Sequence, residues 1–145
     1  MRIVLQRVSR ATVRVREEAV AEIRRGFLLL VAAGTEDDFG EYDRLAEKIF
    51  HLRVFADADG KMNLALSEVG GEVLVVPQFT LYGDLRRGRR PSWAAAAAPD
   101  LAASRVEAFA QALEARGVRV ARGAFGEHME VDLVNDGPVT LWLER

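Results

Sequence analysis

Over residues 3–33 the apolar positions follow strand spacing. Residues 3–8 form an apolar run broken by Gln6 and Arg7, and Thr12, Arg14 and Arg16 alternate with Val13 and Val15. Glu17-Glu18 predicts a turn, and residues 19–24 alternate more weakly before Gly26. Residues 27–33 are continuously apolar, as in a strand buried on both faces. Short strands with short connections predict an antiparallel meander.

The period then lengthens. Asp37-Asp38 opens a helix whose apolar face is Leu45, Ile49 and Leu52, and the early acidic residues suit its dipole. Residues 53–56 predict a short strand and residues 57–60 a turn. Gly70-Gly71 precedes residues 72–76, a β-branched run that predicts a central strand ended by Pro77. Residues 82–91 read as an exposed loop. Pro99 sits as the first residue of a second helix, with Val106, Phe109 and Leu113 as its stripe and Gly117 as its stop. The alanines at 94–98 predict a packing surface or a helical turn. Residues 127–134 and 139–143 predict two last strands, joined at Asn135-Asp136-Gly137-Pro138 by a hairpin connection rich in turn formers. The sum is an α/β fold: a single domain over residues 1–145, mainly antiparallel sheet with two helices.

Composition narrows the chemistry. A chain of 145 residues, half of them hydrophobic, fits one domain of about 100–200 residues and is too apolar for disorder. No run of about 18 apolar residues predicts a membrane span. Gln6 and Arg7 interrupt the first apolar stretch, which predicts no signal peptide and a cytoplasmic protein. The absence of Cys excludes disulfides, Cys-ligated zinc and thiol catalysis. His51 and His128 belong to no HxH or HExxH pattern and read as surface or partly buried structural residues.

The net charge is -2, yet 18 of the 20 basic residues are Arg. Four of them fall in Arg86-Arg87-Gly88-Arg89-Arg90, which suits either a solvated loop or phosphate. The other candidate is Pro77-Gln78-Phe79-Thr80-Leu81, directly after a buried strand. There a Gln amide, a Thr hydroxyl and consecutive backbone N–H groups either satisfy a turn or form an oxyanion hole. Thr80 has no nearby base in the sequence to make it a nucleophile.

Five motifs occur in order: Gln6-Arg7-Val8, Gly60-Lys61-Met62-Asn63, Gln78-Phe79-Thr80-Leu81, Arg90-Pro91-Ser92 and Asn135-Asp136-Gly137-Pro138-Val139-Thr140. Their ordered set resembles the bacterial-type D-aminoacyl-tRNA deacylases along essentially the whole chain. The resemblance implies a barrel-like sheet in a cytoplasmic homodimer. It implies hydrolysis of the ester between a D-amino acid and the terminal adenosine of tRNA, and of glycine mischarged on alanine tRNA, with no metal or organic cofactor. It implies that Gly137-Pro138 is a cis peptide that enters the partner subunit's site as chiral selector, with Arg7 supporting it. It implies that Gln78, Phe79 and Thr80 wall the scissile ester and that Phe125 and Met129 stand near the adenosine. Under it, Arg86, Arg87, Arg89 and Arg90 are candidates for acceptor-stem phosphates. The family usually has Ser where this chain has Pro77, so a hydroxyl and an N–H are lost there. Two other readings stay open: a tRNA-binding module without catalysis, and an ester hydrolase indifferent to RNA.

Overall fold

The polar residues at Gln6, Arg10, Thr12 and Arg14 do not divide the first strand. In the computed structural model, which describes residues 1–145, they alternate with buried Ile3, Leu5, Ala11 and Val13 along one strand, β1 (Arg2–Val15). A tight turn with positive φ at Arg16 (50°) and Glu17 (71°) leads into β2 (Glu18–Ile23), one residue earlier than the expected turn. β3 (Gly26–Ala32) then pairs with β1 rather than with β2, so the meander expected from the spacing stops after its first hairpin.

Helices account for the change. α1 (Gly40–Phe50) and the chain after it return to β6 (Glu72–Pro77), which runs parallel to β3. α2 (Pro99–Glu114) returns to β7 (Val120–Arg122), parallel to β6. Parallel neighbours need such crossovers. β4 (Phe55–Ala56) and β5 (Met62–Leu64) form a small separate pair. β1 pairs antiparallel with β2, β3 and the last strand, β8 (Glu130–Glu144), so the sheet is mainly antiparallel. Its order is β2-β1-β3-β6-β7, and its far ends curl together: Arg119 beside β7 donates to the Glu22 carbonyl at 3.2 Å. The result is a single α/β domain with a barrel-like sheet and two helices. No helix is long and apolar enough to cross a membrane.

The C-terminal hairpin is the main correction. Residues 130–144 form one strand, β8 (Glu130–Glu144), that follows β1 along nearly its whole length. Gln6 faces Thr140 and Val8 faces Asn135, so residues 136–139 all stand opposite the single residue Arg7. The turn formers make a bulge inside a strand and not a reversal. β8 also starts later than expected, which leaves His128 in the preceding loop. α1 likewise starts at Gly40, because Asp37 is engaged elsewhere: it accepts from the Met1 ammonium and from the Gly34 N–H.

Two cores lie on the two faces of the sheet. The larger packs Ile3, Leu5, Phe27, Leu29, Val73 and Val75 against Leu45, Ile49, Phe109 and Leu113 of the helices. Phe27 and Phe55 meet there with ring centroids 5.0 Å apart. The smaller joins Val8, Ala11, Val13, Leu28, Leu74 and Val76, with Met129 and Val131 against it.

Burial, reinforced by the Asp37 carboxylate, pushes the hydroxyls of Tyr42 and Tyr82 up to about 12. Both hold their protons more tightly in the fold than in the unfolded chain, where tyrosine titrates near about 10. Their contribution to stability is therefore complete below about pH 10 and is lost as pH climbs towards about 12. Thermal melts from about pH 8 to about pH 11.5 should show the melting temperature falling past about pH 10, with a shallower fall in Tyr82→Phe. The same slope in both proteins would contradict the assignment.

Candidate active site

The chain leaves the sheet at Pro77. This residue still pairs with Val31 of β3, but β7 has ended at Arg122, so the N–H that Pro lacks is not needed by that ladder. Gln78 donates its backbone N–H to the Val31 carbonyl at 2.8 Å, and a single 3₁₀ turn, Phe79–Tyr82, follows. Its first internal bond runs from Leu81 N–H to the Gln78 carbonyl, 3.1 Å. The N–H groups of Phe79 and Thr80 precede that bond and have no partner within the turn. The Gln78 amide donates to the Thr80 hydroxyl.

Beyond the turn, residues 84–92 form an arm closed at its base by reciprocal backbone bonds between Asp84 and Ser92, 2.9 and 3.0 Å. Arg86 folds back onto Asp84 at 2.7 Å and holds that carboxyl down at about 2. Arg87, Arg89 and Arg90 are exposed and have no ion-pair partner. At the foot of the arm Trp93 meets Phe79 edge-on, with centroids 5.2 Å apart. It also lies so close to Gly83 that a Cβ there would stand 2.8 Å from the indole.

Phe79 and Trp93 form one side of a cavity of about 580 Å³. Thirteen of its 19 lining residues are hydrophobic, so the site favours an apolar or aromatic occupant. Pro77 and Gln78 continue the lining, together with the buried cluster of Ala33, Ala97 and Ala102 and with Phe125, His128 and Met129. Of the alanine stretch only Ala97 is buried and only Ala96 and Ala97 reach the cavity; Ala94 and Ala95 form an exposed turn closed by Ala96 N–H on the Trp93 carbonyl, 2.9 Å. Of the residues expected from the sequence, Gln78, Phe79, Phe125 and Met129 come together here. Thr80 stands beside Gln78, outside the lining. Gly137 and Pro138 lie elsewhere on this chain, exposed in the β8 bulge. Sequence reasoning missed Trp93, Glu127 and His128 as lining residues; the first directly follows the Arg90-Pro91-Ser92 motif and the other two sit between Phe125 and Met129.

The bulge has its own geometry. The Gly137-Pro138 peptide is cis, and Gly137 has φ +132°. A Cβ on Gly137 would stand 2.8 Å from an Arg7 guanidinium nitrogen. Arg7 is buried, donates through Nε to the Asp136 carbonyl at 2.9 Å and through Nη1 to the Val54 carbonyl, and lies 3.4 Å from the Asp136 carboxylate. No group of three or more His, Asp or Glu is placed to hold a metal ion.

The sequence model of the family described as D-Tyr-tRNA(Tyr) deacylase matches residues 4–144. The chain belongs to that family. It is 56% identical over 144 residues to the D-aminoacyl-tRNA deacylase of Desulforudis audaxviator, covering 99% of this chain and 97% of that one. To the protein of the same description from Thermomicrobium roseum it is 54% identical, covering 99% and 94%. Among solved structures, a c-Myc DNA unwinding element binding protein superposes with a TM-score of 0.92 at 36% identity, over 100% of this chain and 99% of that one. A probable eukaryotic D-amino acid tRNA deacylase shares the fold, with a TM-score of 0.84 at 20% identity over 98% and 97%. The deacylase family's shared length thus includes both the cavity and the bulge.

Removing the Arg7 side chain would leave two carbonyls without their donors. Arg7→Ala should cost about 2–4 kcal/mol in urea unfolding, and Arg7→Lys nearly as much, because one ammonium cannot reach both oxygens. A loss within about 0.5 kcal/mol, the range of an ordinary surface substitution, would show that the bulge stands without it.

Proposed function

We propose that this chain hydrolyses the ester joining a D-amino acid to the terminal adenosine of tRNA and leaves the L-aminoacyl ester intact. The observation that carries this reading is the meeting of Gln78 and Phe79 with Phe125 and Met129 around one apolar cavity, in a chain that aligns over 99% of its length with D-aminoacyl-tRNA deacylases.

The chemistry needs no metal and no thiol. Water adds to the ester carbonyl carbon, and the carbonyl oxygen becomes an oxyanion. The free N–H groups of Phe79 and Thr80 are donors of the right kind for it, and Gln78 adds an amide. One such donor is worth about 10²–10³ in rate. The bond from carbonyl carbon to ribose oxygen then breaks, and a proton passes to the ribose oxygen. Free tRNA and the D-amino acid leave. The ribose 2′-hydroxyl lies beside the ester and supplies a relay for protons that the site's few titratable groups do not. Thr80 acts as a positioning group, with its hydroxyl tied to the Gln78 amide.

Selection between hands falls to Gly137-Pro138 of a second copy, which places a rigid backbone wall where an L side chain would stand. The exposure of this pair in the bulge supports that arrangement, as does the free outer edge of β8. Glycine, with no side chain to clash, passes the wall, so glycine mischarged on alanine tRNA is also a substrate. The working form is then a homodimer in the cytoplasm. Arg87, Arg89 and Arg90 meet backbone phosphates, while Arg86 is held by Asp84.

Parallel incubation with D-Tyr-tRNA, L-Tyr-tRNA and a free D-tyrosine ester tests the reading. Cleavage of the first alone is expected; equal cleavage of both tRNAs, or of neither, overturns it, and comparable cleavage of the free ester removes the RNA from the mechanism. Replacing Arg87, Arg89 and Arg90 by Ala should weaken tRNA binding and flatten its log–log salt slope by about 2–3, at roughly 0.7–0.9 per lost contact. An unchanged slope would make the arm a solvated surface.

A further inference from the structure

We propose that Arg2, Asp37 and Tyr82 are positioning residues of the deacylation site: they anchor the far end of the Phe79–Tyr82 turn and so set where its near end stands at the cavity. This rests on the role given to that turn under Proposed function.

A lone 3₁₀ turn has poor hydrogen-bond geometry and little rigidity of its own. Here the near end must hold Phe79 and the two free N–H groups in place, yet Phe79 is 55% exposed and packs chiefly on Trp93. The rigidity has to come from the other end, and three contacts supply it. Arg2 Nη1 donates to the Leu81 carbonyl at 3.1 Å. The same guanidinium lies over the Tyr82 ring, 4.4 Å from its centroid. Its Nε is fixed by Glu144 at 2.7 Å, so the side chain is held from both sides.

The Tyr82 hydroxyl reaches the opposite way, to 3.5 Å from Asp37 Oδ1. Asp37 in turn accepts the Gly34 N–H at 2.8 Å through its other oxygen. Gly34 has room for nothing larger: a Cβ there would stand 2.4 Å from the Tyr82 oxygen. The segment around Gly34 also pairs with the alanine stretch, through Ala97 N–H to the Ala33 carbonyl at 3.0 Å and the bridge from Gly34 to Ala96. Ala33, Ala96 and Ala97 line the cavity. Through Asp37, Tyr82 therefore ties the turn bearing Gln78 and Phe79 to the segment that carries Ala33 and Gly34, and the spacing between them is set by a residue outside the cavity lining.

Steady-state deacylation of D-Tyr-tRNA, measured well below each variant's melting temperature, tests the assignment. Arg2→Ala and Tyr82→Ala should lower kcat about tenfold, the scale of a sub-ångström misplacement. KM should stay within a factor of about two. Tyr82→Phe keeps the ring beneath Arg2 but loses the hydroxyl's tie to Asp37, so its kcat should fall between those of wild type and Tyr82→Ala; a wild-type kcat overturns the part given to Asp37. Gly34→Ala leaves every charge in place but pushes on Tyr82, and should also lower kcat. Amide hydrogen exchange at Leu81 and Gly83, whose N–H groups the turn bonds to Gln78 and Thr80 carbonyls, recorded without substrate, should quicken in Arg2→Ala. An unchanged kcat in Arg2→Ala, or a loss that appears only in KM, overturns the proposal. So does unchanged exchange at Leu81 and Gly83, whatever the activity. Wild-type protein that fails to cleave D-Tyr-tRNA defeats the deacylase reading instead, and the exchange measurement then decides the anchor alone.

Discussion

A buried guanidinium must find acceptors for its donors, and at Arg7 this requirement shapes the C-terminal third of the chain. The acceptors are main-chain carbonyls at Val54 and Asp136, from segments far apart in sequence. Meeting them holds four residues of β8 against one residue of β1. Because the bulge is held from inside, β8 resumes its pairing at Thr140 and runs to the start of β1 at Arg2. The strand therefore carries an irregular, solvent-facing step without losing its place in the sheet. Everything asked of Gly137 and Pro138 depends on that step being rigid.

Much of this was legible in the sequence, and the exceptions share a cause. Alternation located part of β1, unbroken apolar or β-branched runs located β3 and β6, and a period of about 3.6 located both helices, since these patterns report local burial directly. The hairpin at 135–138 was misread because Asn, Asp, Gly and Pro favour a turn wherever they cluster. What converts the cluster into a bulge is Arg7, some 130 positions away, and turn propensity holds no record of it. Asp37 failed as a helix opener for the same reason, being claimed by Met1 and Gly34. Gln78 and Phe79 stood out by their place after a buried strand, but only motif resemblance separated them from an ordinary turn and brought in Phe125 and Met129. His128 and Trp93 stood beside those motifs but in no recognisable pattern of their own, and only the folding of two loops onto one cavity joins them.

The site's electrostatics follow from division of labour. The cavity is apolar and carries few charges, while the cationic groups sit on an arm that leaves from its edge. Asp84 neutralises Arg86 and stiffens the arm's base, so the remaining three guanidiniums are presented outward. A net charge of -2 hides this because acidic groups elsewhere are spent in pairs, such as Glu107 and Glu114 on Arg122. Local charge, and not the sum, is what an approaching polyanion meets.

The free edge of β8 has one more consequence. A fifteen-residue strand with an unpaired outer side is a template on which any stray extended chain can add, the usual route to open-ended aggregation. The bulge divides that side into two short ladders that are out of phase, and Pro138 removes a donor between them. A flat foreign strand can satisfy one ladder or the other but not both. The same step that displays Gly137 and Pro138 thus limits which surfaces can dock along the edge.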